Sequence, residues 1–264
     1  MKIRILPKEG SVDTIYKRLE KYILPVDSEW SKRLKPAKQK DIDKVYSISR
    51  MEEIGCYFPM SYLEYLKYMG EDDGEFLSYG IHANTDLTTI ILDYEGKEED
   101  PFDSIEPNHY VFAFNTDVGV EYYITTKDNG KQIITSGNDE RYGMEYYSES
   151  FEKLLFQMAF DVYERRYFKY QYYLGTNRIT LDKTLQKIGI RLEDIFLVID
   201  EMANKYGFSK VWFSDAYHYV AMKDNFSFWL RRDMSISGYV LGNDEKQVEK
   251  YGNILNQLLG TRKQ

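Results

Sequence analysis

The chain has little cysteine and little histidine, the residues that most often build disulfide frameworks and transition-metal sites. The single cysteine, Cys56, excludes an intrachain disulfide and any cysteine-rich metal site, and its apolar neighbours predict an inert, buried thiol. The three histidines, His82, His109 and His218, are scattered, and none belongs to the closely spaced pair that a zinc site uses. We therefore predict no metal, no other cofactor and a reducing compartment.

Long apolar runs and catalytic motifs are also absent from the sequence. No stretch approaches the roughly 18 consecutive apolar residues of a membrane-spanning helix, and the apolar run near Met1 is too short for a signal peptide. The sequence has no phosphate-binding glycine loop, no dinucleotide-binding glycine fingerprint and no Gly-x-Ser-x-Gly nucleophile motif. We therefore expect a cytoplasmic protein that does not span a membrane and is not an enzyme.

Basic residues are in the minority: 35 Lys and Arg against 43 Asp and Glu give a formal net charge of −8. This charge repels phosphate backbones, so direct nucleic-acid binding is not expected, whereas a basic protein partner would suit it. Acidity that serves solubility alone explains the same charge. Trp229, Arg231 and Arg232 are of the residue types that stack on bases and bind phosphates. A two-sided sheet with a covered or interfacial second face is the favoured interpretation of the alternation along this strand.

Aromatic residues, in contrast, are abundant. The chain contains 25 tyrosines, and aromatic residues make up 16% of it. A tyrosine side chain combines a large apolar ring with a polar tip, which suits protein interfaces. A genome that favours tyrosine codons is the open alternative. With 264 residues and 43% hydrophobic residues, the chain is predicted to form two globular domains.

The first predicted domain covers residues 1–168 and begins with a helical extension. Apolar residues at helical spacing predict helices over 11–24, with Ser11 as a cap, and over 41–53 and 61–70. They also predict a further helix that is capped by Ser148 or Ser150. Alternating and β-branched residues predict strands at 87–92, 110–114, 120–126 and 131–135. Asp128-Asn129-Gly130 predicts a hairpin turn between the last two strands.

The second predicted domain covers residues 188–264. The stretch 168–188 lacks periodicity and contains a glycine, so it is predicted to connect the domains. The remainder predicts the order α-β-β-β-β-α: a helix over 191–206, four strands near 209–214, 217–222, 226–231 and 235–241, and a last helix that begins at Asn243 or Asp244. The predicted fold class is therefore α+β.

Several features of the first half occur in an order that matches a known family. They are a helix that ends at Gly55, the segment Tyr57-Phe58-Pro59, the tyrosine-rich helix over 62–69, and a turn from Gly70 to Gly74. The aromatic and glycine pattern of 112–123 follows, and then Ser150-Phe151 at the start of a helix. From about Pro36 to Tyr163 the chain thus resembles the SUKH superfamily, which includes yeast regulators of cell-wall synthesis and bacterial immunity proteins.

The resemblance implies an antiparallel sheet with packed helices and a protein-binding function. Immunity proteins of this family neutralise toxin partners, which are often nucleases and thus basic. The alternative that the resemblance leaves open is an intracellular regulatory adaptor or scaffold that joins two protein partners. One departure from the family pattern is the acidic insertion Glu71-Asp72-Asp73, where relatives more often have a compact glycine-rich turn.

The acidic loop, residues 71–75, is the predicted partner-binding site. Its carboxylates Glu71, Asp72, Asp73 and Glu75 lie close in sequence to Tyr79, and loops on a rigid scaffold are where binding residues usually sit. A glycine at position 74 comes too early for a calcium-binding EF-hand loop. A merely solvated loop is the alternative that the sequence leaves open.

Overall fold

The computed structural model describes residues 14–98, 107–127, 129–137, 144–233 and 235–260. Within them lie ten α-helices and two antiparallel sheets, of four and five strands. The predicted α+β class is therefore confirmed. The chain divides between Tyr163 and Glu164 into two compact units, here called the N-terminal and the C-terminal unit.

The N-terminal unit contains seven of these helices and the four-stranded sheet. The helices are α1 Ile15–Ile23, α2 Trp30–Arg33, α3 Gln39–Ile48, α4 Met60–Met69, α5 Leu77–Ile81, α6 Leu87–Glu98 and α7 Phe151–Ala159. The strands are β1 His109–Asn115, β2 Val120–Thr126, β3 Gln132–Gly137 and β4 Glu145–Ser148, and they lie side by side in this order. Three of the predicted strands are thus confirmed within a residue or two, and β4 was missed.

Side-chain caps start two of these helices. The Thr14 hydroxyl accepts a hydrogen bond from the Lys17 N–H at 3.3 Å and begins α1. The Ser150 hydroxyl accepts from the Lys153 N–H at 3.2 Å and begins α7, so Ser150 is the cap of the two that the sequence offered. Ser11, the predicted cap of the first helix, and Asp128 of the predicted hairpin turn lie outside the described residues.

Helix α6 corrects the prediction of a strand at 87–92. The Asp86 carboxylate accepts hydrogen bonds from the Thr88 N–H at 3.1 Å and the Thr89 hydroxyl at 2.7 Å, which satisfies donors at the start of the helix. The two threonines and the isoleucines after them favour a strand locally. Burial decides for the helix, because the four buried residues fall at helical spacing: Leu87, Ile90, Ile91 and Tyr94.

Aromatic side chains form the centre of the N-terminal unit. Tyr62 of α4 and Tyr110 of β1 are fully buried, and their hydroxyls lie 2.7 Å apart, so each polar tip has a partner. The Phe151 ring of α7 meets the Tyr62 ring at 5.0 Å and the Phe112 ring at 5.3 Å, edge to face in both cases. Helices α4 and α7 therefore pack on the same face of the sheet.

The C-terminal unit contains three helices and five strands in its described part. They are β5 Tyr170–Gly175, α8 Arg178–Ile188, α9 Ile195–Lys205, β6 Ser209–Lys210, β7 His218–Lys223, β8 Phe226–Arg232, β9 Ile236–Gly242 and α10 Glu245–Leu259. The sheet order is β5-β9-β8-β7-β6, and every neighbouring pair is antiparallel. The predicted α-β-β-β-β-α order is found from α9 to α10, although β6 has two residues where six were predicted.

The predicted connection over 168–188 is wrong in its secondary structure. Residues 170–175 form the edge strand β5, which pairs with β9, and Arg178–Ile188 form a helix capped by Asn177. Leu181 and Leu185 of this helix are buried in the core of the C-terminal unit. The tyrosine-rich segment is therefore part of the second sheet, and the unit begins before residue 170.

Helix α10 closes the C-terminal unit over β5. The Asn256 amide of α10 donates to the Tyr172 hydroxyl of β5 at 2.5 Å. A Cβ atom at Gly252 would lie 2.5 Å from the Tyr172 ring, so only glycine fits at this crossing without movement of the ring. Among the helices of the described chain, none has the length and apolar character needed to cross a membrane.

Candidate functional site

The predicted site lies in the segment that joins α4 to α6, and a buried carboxylate organises it. Asp73 has only 3% of its surface exposed. Its Oδ2 accepts the Ser78 N–H at 2.6 Å, and its Oδ1 accepts the Ser78 hydroxyl at 2.7 Å and the Phe76 N–H at 3.1 Å. A carboxylate that receives several such bonds is retained in a core because its charge is satisfied.

The same carboxylate also receives hydroxyl groups from outside the acidic loop. Tyr65 of α4 and Thr85 donate to Oδ2 at 3.4 Å and 3.3 Å. Burial, and next the nearby Asp73 charge, raise the pKa of Tyr65 well above its ordinary value, so the phenol stays protonated and remains a donor. Trp30 of α2 donates its indole N–H to the Asp73 carbonyl at 3.1 Å. The contacts of Asp73, here called the Asp73 network, join the acidic loop to α2, α4 and α5.

Two other predicted carboxylates take part in ion pairs at the start of the loop. Asp72 Oδ2 lies 3.2 Å from the Lys35 ammonium, and Glu71 Oε1 lies 3.2 Å from that of Lys38. The backbone reinforces this arrangement, because the Lys35 N–H donates to the Asp72 carbonyl at 2.9 Å. Both carboxylates are thus partly neutralised, and the loop presents less negative charge than its sequence indicates.

Glu75 and Tyr79 are the predicted site residues that face solvent. Glu75 has a left-handed backbone with φ of +60°, directly after Gly74 with φ of +68°. The Asp72 carboxylate accepts the Gly74 N–H at 3.0 Å and fixes this turn. Tyr79 belongs to α5 and has 51% of its surface exposed. The structure therefore separates the five predicted residues into a buried anchor, two ion-paired residues and two presented side chains.

Arg33 connects the loop to the turn before α2. Its guanidinium donates to the Gly74 carbonyl at 3.2 Å and to both carboxylate oxygens of Asp27. The hydrogen bonds from Arg33 lower the pKa of Asp27 in the folded chain, despite an opposing effect of burial. The carbonyl of the strained turn therefore has a charged donor.

One exposed apolar surface was missed by the sequence prediction. Tyr57 and Met60 expose 69% and 74% of their surfaces, and Ile54 beside them is also exposed. The Tyr57 carbonyl accepts the Gln132 amide at 2.7 Å, which fixes the backbone under these side chains. The sequence signal was the run of apolar residues around Cys56, which was interpreted as buried; Cys56 itself is only half-buried.

The histidines occupy three unrelated places. His82 is exposed and has φ of +52° after α5, His109 begins β1, and His218 is buried at the start of β7. The His218 Nδ1 lies 3.9 Å from the Asp215 carboxylate. The described ranges contain no group of three or more His, Cys, Asp or Glu side chains placed to hold a metal ion.

Trp229 and Arg232 of β8 differ in exposure: Trp229 is half-buried and belongs to an aromatic row, whereas Arg232 is buried. Trp229, Tyr239 and Tyr173 form a row across β8, β9 and β5, with adjacent ring centres 6.2 Å and 5.4 Å apart. Arg232 is buried, and its guanidinium carbon lies 5.1 Å from the centre of the Tyr217 ring. The row is half-covered at Trp229 and exposed at Tyr173.

No protein-family model matches the chain, and neither a curated protein nor a solved structure is significantly similar to it.

Proposed function

We propose that this protein is a non-catalytic protein-binding module of the cytoplasm, and that it acts as an immunity protein that neutralises a toxin. The observation that carries the proposal is the Asp73 network, which fixes the loop while Glu75 and Tyr79 remain exposed. A preorganised loop loses little conformational entropy on binding. The SUKH resemblance of residues 36–163 supplies the toxin-neutralising role.

The chemistry of the presented side chains indicates the kind of partner. Tyrosine is a frequent anchor of protein interfaces, and an adjacent carboxylate favours a basic partner such as a nuclease. The net charge of −8 adds long-range attraction for such a protein. Binding would then block the toxin by surface complementarity, without chemistry at the interface.

A regulatory adaptor is the second candidate function. The observation that favours it is the C-terminal unit, which has its own core and presents the aromatic row of Trp229, Tyr239 and Tyr173. Each unit would then bind one protein. An adaptor requires that two different partners bind at the same time, whereas an immunity protein needs only the toxin.

The proposal is tested by affinity capture from the native cell with three forms of the full chain, followed by mass spectrometry. The forms are the wild type, the double variant Glu75→Lys plus Tyr79→Ser, and the control Glu249→Lys, which reverses an exposed charge on α10. We expect one basic protein to be captured by the wild type and the control and lost with the double variant. That protein should arrest growth when expressed alone, and co-expression of the wild type should relieve the arrest. A captured protein that is harmless and indifferent to the double variant would refute the immunity function.

A further inference from the structure

A cleft of about 350 Å³ is lined by residues from all four strands of the N-terminal sheet and by no residue of the acidic loop. Such a volume lies within the range of small-molecule sites. His109, Thr125 and Ile133 form one cross-strand row of its wall, and Thr135 and Tyr146 form part of the next row. We call it the threonine cleft. All the described residues that line it belong to the N-terminal unit.

The charge of the threonine cleft is opposite to that of the protein. Lys127 lines it together with His109, and none of the described lining residues is an aspartate or a glutamate. The Lys127 ammonium donates to the Tyr146 hydroxyl at 2.6 Å and lies 4.2 Å from the centre of that ring. No carboxylate in the described part of the chain forms an ion pair with it. Lys127 therefore supplies a positive charge that no described carboxylate neutralises, in a chain whose net charge is −8.

A chain of hydrogen bonds joins four residues that line the cleft, and the last of them, Met144, fixes the direction of the chain. The Thr135 hydroxyl donates to the Met144 sulfur at 3.4 Å, because a thioether has no proton to give. A hydroxyl has one proton, so in the 2.7 Å contact between Thr135 and Thr125 it is Thr125 that donates. The Thr125 oxygen must then accept from the His109 Nδ1–H, which lies 3.0 Å away. The His109 ring consequently carries a proton on Nδ1.

We propose that the threonine cleft binds a small organic anion, in which a carboxylate or phosphate group meets Lys127 and a compact apolar body lies against the Tyr146 ring and the Met144 side chain. A cation is disfavoured, because Lys127 would repel it and no described lining residue supplies a carboxylate. An apolar molecule without charge would leave the ammonium with the Tyr146 hydroxyl and ring as its only partners among the described side chains. The threonine cleft shares no described lining residue with the acidic loop, so anion binding can be tested independently of partner binding.

The three histidines provide a specific way to test the site. A chain labelled with ¹³C at histidine Cε1 gives one NMR signal from each of His82, His109 and His218. Benzoate, phenyl phosphate and inorganic phosphate are titrated at constant ionic strength to about 20 mM, a weak-binding range. We expect a saturable shift of the His109 signal alone, and the comparison of benzoate with phenyl phosphate identifies the preferred anionic group. Benzylammonium, a cation of similar size, should produce no shift.

Substitutions then assign the binding to the cleft. Lys127→Gln should raise the dissociation constant about tenfold, the usual effect of losing one charge-assisted hydrogen bond. Lys131→Gln, which removes an exposed lysine close in sequence, should leave it unchanged. The ¹⁵N shifts of the His109 ring should show the proton on Nδ1, and Thr135→Val should change them by interrupting the hydrogen-bond chain. The proposal is overturned if no anion shifts the His109 signal saturably, if benzylammonium binds as well, or if Lys127→Gln binds like the wild type.

Discussion

Ser78 donates two hydrogen bonds to one carboxylate: its N–H lies 2.6 Å from Oδ2 of Asp73 and its hydroxyl lies 2.7 Å from Oδ1. These two hydrogen bonds fix the acidic loop to the start of α5, within the segment that joins α4 to α6. The positions of the exposed residues Glu75 and Tyr79 therefore depend on Asp73, which is buried.

Asp73→Asn should destabilise the N-terminal unit by about 1.5 to 3 kcal/mol, because an amide has one acceptor oxygen where the carboxylate has two and a buried donor loses its partner. The free energy of unfolding from urea denaturation measures this loss. Glu75→Gln is the matched control, since Glu75 is exposed, and it should change stability by less than about 0.5 kcal/mol. Equal stabilities of the two variants would show that the Asp73 network contributes nothing to the fold.

Partner binding should respond differently to the two presented residues. Glu75→Lys should slow association with a basic partner mainly at low salt, because a surface charge acts through long-range steering. Tyr79→Ala should instead speed dissociation, with a loss of about 1 to 3 kcal/mol if the ring is a moderate anchor. Surface plasmon resonance over a salt series with the captured protein separates the two effects. Unchanged rates for both variants would remove this loop from the interface.

The ion pair between Asp27 and Arg33 should make stability depend on pH. The Arg33 hydrogen bonds lower the folded-state pKa of Asp27, so the pair stabilises the fold above the unfolded pKa of about 4 and stops doing so as the pH falls through the folded pKa. Because the side chains of Asp27 and Arg33 both remain partly exposed to solvent, the effect should be at most about 1 kcal/mol. The urea midpoints of Arg33→Gln and the wild type should differ more at neutral pH than at about pH 3, because about pH 3 is below the ordinary pKa of an aspartate. A difference that is the same at both pH values would assign the whole effect to the Gly74 carbonyl contact.

Two glycines in helices should respond to alanine in opposite directions. Gly96 of α6 has open space where a Cβ would lie, so Gly96→Ala should stabilise the chain by up to about 1 kcal/mol through helix propensity. Gly252 of α10 has the Tyr172 ring 2.5 Å from that position, so Gly252→Ala should destabilise it despite the same gain in propensity. Thermal unfolding of the two variants gives the comparison. A stabilised Gly252→Ala variant would mean that α10 does not cross β5 as closely as described.

The limits of the C-terminal unit can be tested with fragments. A fragment that begins at residue 164 keeps β5 with its partner β9, whereas one that begins at 178 leaves the β9 edge open and removes Tyr172 from under α10. The longer fragment should unfold cooperatively, and the shorter one should show a lower midpoint or aggregate. Circular dichroism during urea titration distinguishes them. Identical urea midpoints for the two fragments would show that residues 168–177 only connect the two units and do not stabilise the second sheet.

Local patterns were sufficient for the elements whose burial and propensity agree. Helix α10 buries Val248, Tyr251 and Leu255 and ends at Gly260, which has φ of +69°. The sequence shows both the helical spacing of these apolar residues and the glycine after them. Strands β7, β8 and β9 were also predicted close to their observed limits. The strand predicted at 87–92 was wrong because β-branched residues prefer strands locally, while helical burial extends to Tyr94, beyond the window that suggested a strand.

The candidate site was less predictable, because burial of a charged residue depends on distant parts of the chain. Nothing in Glu71-Asp72-Asp73-Gly74-Glu75 distinguishes Asp73 from its neighbours. Its burial follows from donors on Tyr65, Ser78 and Thr85, which only the tertiary structure brings together. The threonine cleft was missed for the same reason, since its walls come from separate strands.

The pairing of β5 with β9 also determines when the second sheet can form during synthesis. Thr176, the residue after β5, hydrogen bonds to Ile236 of β9, which is 60 residues later in the chain. At about 5 to 20 residues per second, translation separates their appearance by roughly 3 to 12 seconds. Throughout that interval the tyrosine-rich strand has left the ribosome without the strand that it pairs with. Until β9 emerges, the backbone N–H and C=O groups of β5 lack their pairing partners, and an unpaired strand edge of this kind favours aggregation.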